Sequence, residues 1–168
     1  MTLITHIDNL AFAKKNDVIE EVLPITHFVR LAQLLGHEQM DAAATANNTV
    51  TYKLLGESKG LEQYYLALEI TAQLTANCQR CLNPAPIEID LAFHYLLSDV
   101  DAQYVEALDE VDLLNIELLM DVLLLVEDEL IAALPIAPTH TDICTLKNNI
   151  SGDKPNPFAA LKKLLKTN

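Results

Sequence analysis

Two stretches of alternating apolar and polar residues, one on each side of Cys78 and Cys81, constrain the fold of this chain more than any other feature. The apolar positions of the first stretch are Tyr64, Leu66, Leu68, Ile70, Ala72 and Leu74. Those of the second stretch are Ile87, Ile89, Leu91, Phe93, Tyr95 and Leu97. Because successive side chains of a β-strand point to opposite faces, each stretch predicts a strand with one buried and one solvated face. The Cys-x-x-Cys pair then lies in the connection between two strands.

A third strand is predicted upstream, since residues 49–55 alternate in the same way. The segment Gly56-Glu57-Ser58-Lys59-Gly60 predicts a hairpin turn after it. Downstream, Ser98 to Asp112 predicts a loop, and Val111 to Met120 fits either a helical turn or a short strand. Three consecutive strands in meander order are therefore expected.

Two helices are predicted to cover this sheet. The first is capped by Thr26 and stopped by Gly36, and its apolar face carries Phe28, Leu31 and Leu35. The second is capped by Asp121 and runs through Leu134, where Pro135 ends it. The predicted fold class is α+β: an antiparallel β-sheet in meander order, covered by a few helices and followed by a flexible basic C-terminal arm.

The charge of the chain is unevenly distributed. The formal net charge is −13 over 168 residues, but residues 147–168 contain five lysines and one aspartate, which gives +4. Residues 1–146 therefore carry −17. An acidic surface repels phosphate and attracts cationic partners, whereas clustered lysines favour nucleic acid. We expect a single acidic α+β domain at residues 1–144, and a linker with a short amphipathic basic segment at residues 145–168.

The basic C-terminal segment has the features of a docking helix. Asn156 and Pro157 are typical of a helix start. The apolar stripe is formed by Phe158, Leu161 and Leu165, and beside it lie Lys162, Lys163 and Lys166. The stripe predicts partner binding, with the lysines suited to nucleic acid. Docking onto the protein's own domain and a frayed tail are the alternatives, because isolated helices this short are marginal in water.

The chain contains three cysteines, and with one histidine they make a candidate metal site. Cys78 and Cys81 supply one ligand pair, and His140 and Cys144 supply a second, which together would complete a tetrahedral zinc site of structural type. Folding must unite the pairs, since 62 residues separate Cys81 from Cys144. The alternative is that the cysteines are small buried residues in a tight turn. A redox motif would instead require the Cys-x-x-Cys to start a helix.

Other chemistry is weakly represented. Arg80, between the cysteines, is a candidate for partner contact or simply supports the turn. Glu127, Asp128 and Glu129 are consecutive on the predicted second helix and point in different directions, so they predict a solvated face or a docking surface for a basic partner. The sequence has no Gly-rich phosphate loop and no nucleophile elbow. We therefore expect a protein that is not an enzyme and has no small-molecule substrate.

The location of the protein is predicted from its hydropathy pattern. The first residues do not resemble a secretory signal, and the densest apolar run, Leu118 to Val126, is interrupted by Asp121. This run falls short of the roughly 20 residues that a bilayer requires. A cytoplasmic protein with no membrane partner is expected, in a compartment that keeps cysteines reduced.

Three separated motifs resemble one known family. They are Cys78-Gln79-Arg80-Cys81-Leu82; Val126-Glu127-Asp128-Glu129-Leu130 with Ala133-Leu134-Pro135 and Pro138-x-His140; and Lys154-Pro155-Asn156-Pro157-Phe158-Ala159. In this order they are similar to the bacterial YceD family of large ribosomal RNA subunit accumulation proteins. The resemblance implies a non-enzymatic factor needed for accumulation of 23S ribosomal RNA. Members commonly carry further downstream cysteines, whereas here only Cys144 is present, which leaves His140 as the fourth ligand.

The resemblance implies a partner on the large ribosomal subunit, either a ribosomal protein, 23S rRNA or both. Charge alone predicts that the acidic body engages a basic protein while the tail touches RNA. A small structural zinc-binding adaptor unrelated to ribosomes is the alternative. A thiol oxidoreductase is a third class, and it predicts a strongly acidic thiol at Cys78 or Cys81.

Overall fold

A computed structural model describes residues 3–37, 46–60, 62–99, 112–142 and 144. Its elements in chain order are β1 (His6–Ile7), α1 (Asn9–Lys15), β2 (Val18–Pro24), a short 3-10 helix (Ile25–His27), α2 (Val29–Leu34), β3 (Thr49–Lys59), β4 (Gln63–Asn77), β5 (Pro84–Ser98), β6 (Asp112–Asn115), β7 (Met120–Asp121) and α3 (Val122–Ala133). The predicted linker and basic segment at residues 145–168 lie outside the described residues, as does most of the predicted loop from Ser98 to Asp112.

The main sheet has five strands in the order β2-β3-β4-β5-β6. Strands β2 to β5 are antiparallel neighbours in chain order, and β6 lies parallel to β5. Separately, β1 pairs with β7. The predicted α+β fold with a meander of strands is confirmed, and the ambiguous residues between Val111 and Met120 form β6 and the start of β7.

The core lies between one face of this sheet and the helices. The buried strand residues include Val50, Tyr52, Leu54, Leu66, Leu68, Ile70, Leu74, Ile87, Ile89, Tyr95 and Leu97. The helices contribute Phe12, Phe28, Leu31, Val122, Val126 and Leu130 to the same cluster. These are the apolar faces that the alternating patterns predicted, because a strand buried on one face places every second side chain in the core.

The hairpin turn predicted at residues 56–60 is wrong. Strand β3 continues to Lys59, which pairs with Gln63, so the chain turns only beyond β3. Gly56 serves close packing instead. A Cβ at this position would lie 2.6 Å from the Phe12 carbonyl oxygen and 2.8 Å from the Ala13 Cα atom. Helix α1 therefore rests directly on the backbone of β3, and only glycine leaves room for it.

The capping role predicted for Thr26 is also wrong. Thr26 lies inside the 3-10 helix, and α2 begins later, at Val29, with no side-chain cap from Phe28. The end of this helix is as predicted, since Gly36 has the left-handed φ of +72° that suits a residue after a helix.

Helix α3 has the predicted start but not the predicted exposed face. Asp121 accepts a hydrogen bond from the Leu124 N–H at 3.0 Å, as an N-cap should. Glu127, predicted to be solvated, is only 8% exposed, because its carboxylate binds the N-terminus of α2. Asp128 is exposed as predicted.

Residues 6–24, for which the sequence analysis predicts no element, form β1, α1 and β2. Asp8 caps α1 by accepting a hydrogen bond from the Ala11 N–H at 2.8 Å. None of the helices in the described ranges combines the length and the hydropathy needed to cross a bilayer.

Candidate metal centre

The connection between β4 and β5 folds into a tight turn that places two thiols side by side. The Cys78 N–H donates to the Asn83 carbonyl, and the Leu82 N–H donates to the Cys78 carbonyl, each at 2.9 Å. Leu82 adopts a left-handed φ of +61°, which reverses the chain into β5. Within this turn Cys78 is fully buried and Cys81 is 8% exposed.

The segment after α3 returns to this turn and brings the second ligand pair. Pro135 follows the end of the helix, and the Pro138 carbonyl accepts a hydrogen bond from the Gln79 N–H at 2.8 Å. His140 is then held by a hydrogen bond of 2.9 Å to the Pro84 carbonyl at the start of β5. The fold thus brings together the two motifs that lie far apart in sequence, as the zinc hypothesis requires.

The four predicted ligand atoms converge on one point. The sulfur atoms of Cys78, Cys81 and Cys144 and a ring nitrogen of His140 all lie within 4.8 Å of one another. The Cys78 Sγ is 3.6 Å from the Cys144 Sγ, and the Cys81 Sγ is 3.5 Å from the His140 Nδ1. Tetrahedral zinc has Zn–S bonds of about 2.3 Å and Zn–N bonds of about 2.0 Å, so its ligand atoms lie roughly 3.5 to 3.8 Å apart. The residues fit a tetrahedral Cys3His zinc site.

The orientation of His140 supports ligation through Nδ1. A carbonyl oxygen can only accept a hydrogen bond, so the contact with the Pro84 carbonyl requires the proton to be on Nε2. The Nδ1 atom, which faces the Cys81 sulfur, then carries the lone pair. Metal-binding histidines commonly have their tautomer fixed by such an outer hydrogen bond. Pro84 therefore prepares the imidazole as a ligand.

The turn also stabilises negative charge on sulfur. Burial is the largest influence on the pKa of the Cys78 thiol and raises it, but the backbone N–H groups of Cys81, Arg80 and His140 and the Cys144 thiol outweigh burial and lower this pKa to about 5. Burial and the hydrogen bonds with Cys78 and Cys81 raise the pKa of Cys144. Deprotonation of one thiol in the cluster therefore disfavours deprotonation of its neighbour. A divalent cation would displace the remaining protons and offset the repulsion between the thiolates.

The acidic thiol at Cys78 matches the expectation for a thiol oxidoreductase, but it is equally expected of a zinc ligand. Two observations separate these classes. Cys78 has no exposed surface, and the Cys-x-x-Cys lies between two strands, not at the start of a helix. A redox thiol must meet its substrate at the surface, so the geometry favours the metal.

Solvent reaches the centre from one side. A cavity of about 490 Å³ opens beside Cys81, His140 and Cys144, and its remaining lining residues are Asn83, Pro86, Thr139, Thr141 and Asp142. This cavity gives an ion a route to the thiols.

The other predicted site residues are placed only in part. Arg80 is exposed in the cysteine turn, and its N–H donates to the Cys78 sulfur at 3.4 Å. Its predicted contact with a partner stays a prediction. The C-terminal residues predicted to bind a partner lie outside the described residues: Phe158, Leu161, Lys162, Lys163, Leu165 and Lys166.

Sequence reasoning missed the groups that support the ligands. The Asn83 side-chain amide donates to the Cys81 sulfur at 3.6 Å, and the carbonyls of Pro84 and Pro138 hold the returning segment. Asn83-Pro84, which begins two residues after Cys81, is the available signal. Backbone carbonyls carry no signature of their own in a sequence.

The fold and the site define an α+β protein in which one end of a β-meander carries a candidate Cys3His metal centre. Residues 66–165 match the model of a family described as large ribosomal RNA subunit accumulation protein YceD. The match runs from within β4 through the metal centre into the C-terminal segment, which is more than half of the chain. The protein therefore belongs to the YceD family, and this membership gives it a role in accumulation of large-subunit ribosomal RNA. Neither the curated proteins nor the solved structures contain a match to the chain.

Proposed function

We propose that this protein is a non-enzymatic ribosome biogenesis factor that supports accumulation of 23S rRNA and production of the large subunit by binding a ribosomal protein or the rRNA itself. The observation that carries the proposal is the family match over residues 66–165. This range includes the ligands of the candidate metal centre and all but the end of the lysine-bearing segment, so one family pattern covers both features.

The metal centre has a structural role in this proposal. Three thiolates and one imidazole complete a tetrahedron and leave no open position for a substrate. A bound zinc would fasten the chain around His140 and Cys144 to the turn at Cys78 and Cys81. In this proposal the zinc holds residue 144, the predicted end of the domain, and with it the start of the predicted arm. A basic arm that starts from a fixed point reaches a smaller volume and meets a partner at higher effective concentration.

The body and the arm have opposite charges and therefore favour different partners. The acidic body favours a basic protein partner, and the arm favours phosphate. A factor with an acidic body and a basic arm would bridge a ribosomal protein and adjacent rRNA. An adaptor unrelated to ribosomes would contain the same zinc site, so zinc content cannot separate these two functions.

The deciding experiment is the ratio of large- to small-subunit rRNA in cells that lack the protein, with the intact gene restored as the control. We expect a selective loss of the large-subunit RNA that the intact gene reverses. An unchanged ratio would overturn the proposed function and favour the adaptor. Rescue with Cys78→Ser then reports separately whether the metal centre is needed.

A further inference from the structure

Strand β2 lies at one edge of the main sheet, and among the described residues only β3 pairs with it. The Gly56 N–H donates to the Asp17 carbonyl at 2.9 Å, and the Ile25 N–H donates to the Asn48 carbonyl at 3.1 Å. In an antiparallel pair the N–H and C=O of one residue point the same way, and successive residues alternate. The odd-numbered residues of β2 therefore bond to β3.

The even-numbered residues of β2 face away from the sheet. Val18, Glu20 and Val22 present their N–H and C=O groups to the open side, and no backbone partner from another described element contacts them. Pro24 is also even-numbered, so its backbone nitrogen, which carries no hydrogen, faces away from β3. No hydrogen bond to β3 is lost, as expected for a proline in an edge strand. The β2–β3 register runs one residue to one from Val18 to Pro24 without a bulge. Within the described part of the chain, this edge has no bulge and has three donors without a backbone partner.

The edge carries two exposed apolar side chains. Val18 is 52% exposed and Val22 is 63% exposed. Natural sheets guard such edges with charged residues, proline, bulges or a covering element, and β2 has two glutamates and a proline but no bulge. Beside the start of β2, a cavity of about 330 Å³ is lined by Ile4, Ile7, Asp8, Ala11, Phe12, Lys15, Asp17, Val18 and Ile19. A pocket that can take a side chain, next to strand donors without a described partner, is the combination that strand-addition sites use.

The charges on the edge select the occupant. Glu20 and Glu21 lie in the middle of β2, and Asp17 precedes it. A second copy pairing antiparallel about this centre would place glutamate opposite glutamate, which is unfavourable. A partner strand would complement both faces of β2 if it placed cationic side chains opposite the two glutamates and apolar side chains opposite Val18 and Val22.

We infer that the free edge of β2 is a strand-addition site for an extended segment of a basic partner protein, with lysine or arginine opposite Glu20 and Glu21. The inference rests on the proposed function and deepens it, because it names the surface through which the acidic body engages a basic protein. Backbone hydrogen bonds supply the affinity, and the alternation of valine and glutamate supplies the specificity.

The test uses the full chain and a fluorescent peptide, Thr-Val-Val-Lys-Lys-Val-Val-Thr, which places its lysines opposite Glu21 and Glu20 in antiparallel pairing. Binding is measured by fluorescence polarisation. Methyl groups on the third, fifth and seventh backbone nitrogens block the hydrogen bonds to β2. Methyl groups on the second, fourth and sixth nitrogens point to solvent. We expect the first peptide to lose binding by about tenfold or more and the second to keep it.

A matched pair of protein variants tests the same edge. Glu20→Pro removes the central free donor without touching a bond to β3, whereas Glu20→Ala keeps the donor and removes only the charge. We expect Glu20→Pro to weaken binding by about tenfold relative to Glu20→Ala. If Glu20→Pro fails to fold, the methylated peptides decide alone.

Three results would overturn the inference: equal binding of the two methylated peptides, equal binding of the two folded variants, or a dimer of the full chain that Glu20→Pro abolishes in sedimentation. All are measured on purified protein. An unchanged rRNA ratio in cells would instead overturn the proposed function and leave the strand-addition site in place.

Discussion

Arg30 and Glu127 are joined by two hydrogen bonds of 2.8 Å, one from the Arg30 backbone N–H to Oε1 and one from Arg30 Nε to Oε2. Oε1 also accepts the Leu31 N–H at 3.1 Å. Helix α2 has no capping side chain of its own, so a carboxylate from α3 satisfies its first N–H groups. The contact fastens α2 to α3 over the sheet and explains why one acid of a predicted wet face is buried.

Replacing Glu127 should therefore destabilise the fold. We expect Glu127→Ala to lower the free energy of unfolding by about 2 kcal/mol, because a cap is lost and buried N–H groups lose their acceptor. Asp128→Ala is the matched control. Asp128 also binds Arg30, at 2.7 Å, but this pair is exposed and its loss should cost about 0.5 kcal/mol. Urea unfolding measures both, and equal losses would refute the capping role.

The residues that could and could not be predicted differ in what sets their conformation. Strands β4 and β5 repeat a period-two pattern over 15 residues each, so their faces follow from the sequence alone. The sequence predicts a turn at Gly56, but the structure requires glycine there because α1 approaches the backbone. This tertiary contact leaves no sign in the local sequence. Helix α1 has only seven residues, too few for a clear helical period.

The candidate metal centre shows the same division. The candidate ligands are visible in the sequence, because a Cys-x-x-Cys pair and a His-x-x-x-Cys pair together supply the four ligands of a tetrahedral zinc site. That His140 approaches Cys81 through Nδ1 depends on the Pro84 carbonyl, which any residue could supply. Glu127 shows why burial on a helix is hard to predict. Its side chain is buried because α2 packs against it, and its neighbours in sequence do not indicate this contact.

Purified protein should contain about one zinc ion per chain. Cys78→Ser and His140→Ala should each lose most of the metal, whereas His94→Ala, which alters a histidine outside the cluster, should retain it. Metal content by mass spectrometry and the thiolate-to-cobalt absorption of the cobalt-substituted protein provide the measurement. Chelation should lower the melting temperature, and acid should release the ion as protons compete for the thiolates. Zinc that remains after Cys78→Ser would place the ion elsewhere.

His140→Cys should keep the metal. The imidazole nitrogen is 3.5 Å from the Cys81 sulfur, a distance that also suits a fourth thiolate in a tetrahedral site. We expect His140→Cys to retain the ion where His140→Ala releases it. Loss of zinc from both variants would show that the Pro84 contact, and not the number of ligands, decides binding.

Replacing Tyr52 with phenylalanine should give a variant that is more stable than the natural protein. Its side chain is fully buried, and its hydroxyl has no hydrogen-bond partner among the described residues. We expect Tyr52→Phe to raise the free energy of unfolding by about 1 kcal/mol at neutral pH. Tyr95→Phe is the control of opposite sign, because the Tyr95 hydroxyl donates to Glu129 at 2.9 Å and its removal should destabilise.

The advantage of Tyr52→Phe should grow with pH. Burial, with a smaller contribution from Glu21, raises the pKa of Tyr52 from 10.0 to about 12. Between these values the unfolded chain binds fewer protons than the folded one, so stability falls as pH rises. The stability difference between variant and natural protein should widen above pH 10, by up to about 2 to 3 kcal/mol at the upper end of this range. A constant difference across pH 8 to about pH 11 would contradict the assignment.

Truncation after Gly152 should leave the body folded and reduce its association with ribosomal particles, because the described core residues and the candidate metal ligands all precede residue 145. Two full-length variants separate the causes. One replaces the lysines Lys162, Lys163 and Lys166 with glutamine, and the other replaces the apolar residues Phe158, Leu161 and Leu165 with serine.

If the arm binds RNA, the glutamine variant should lower the slope of log affinity against log salt by about two, since three phosphate contacts are lost. If the arm docks into a protein groove, the serine variant should weaken co-sedimentation without changing that slope, because apolar burial releases no counterions. Association that survives truncation at both low and physiological salt would assign ribosome binding to residues 1–152, where the free edge of β2 is the next surface to test.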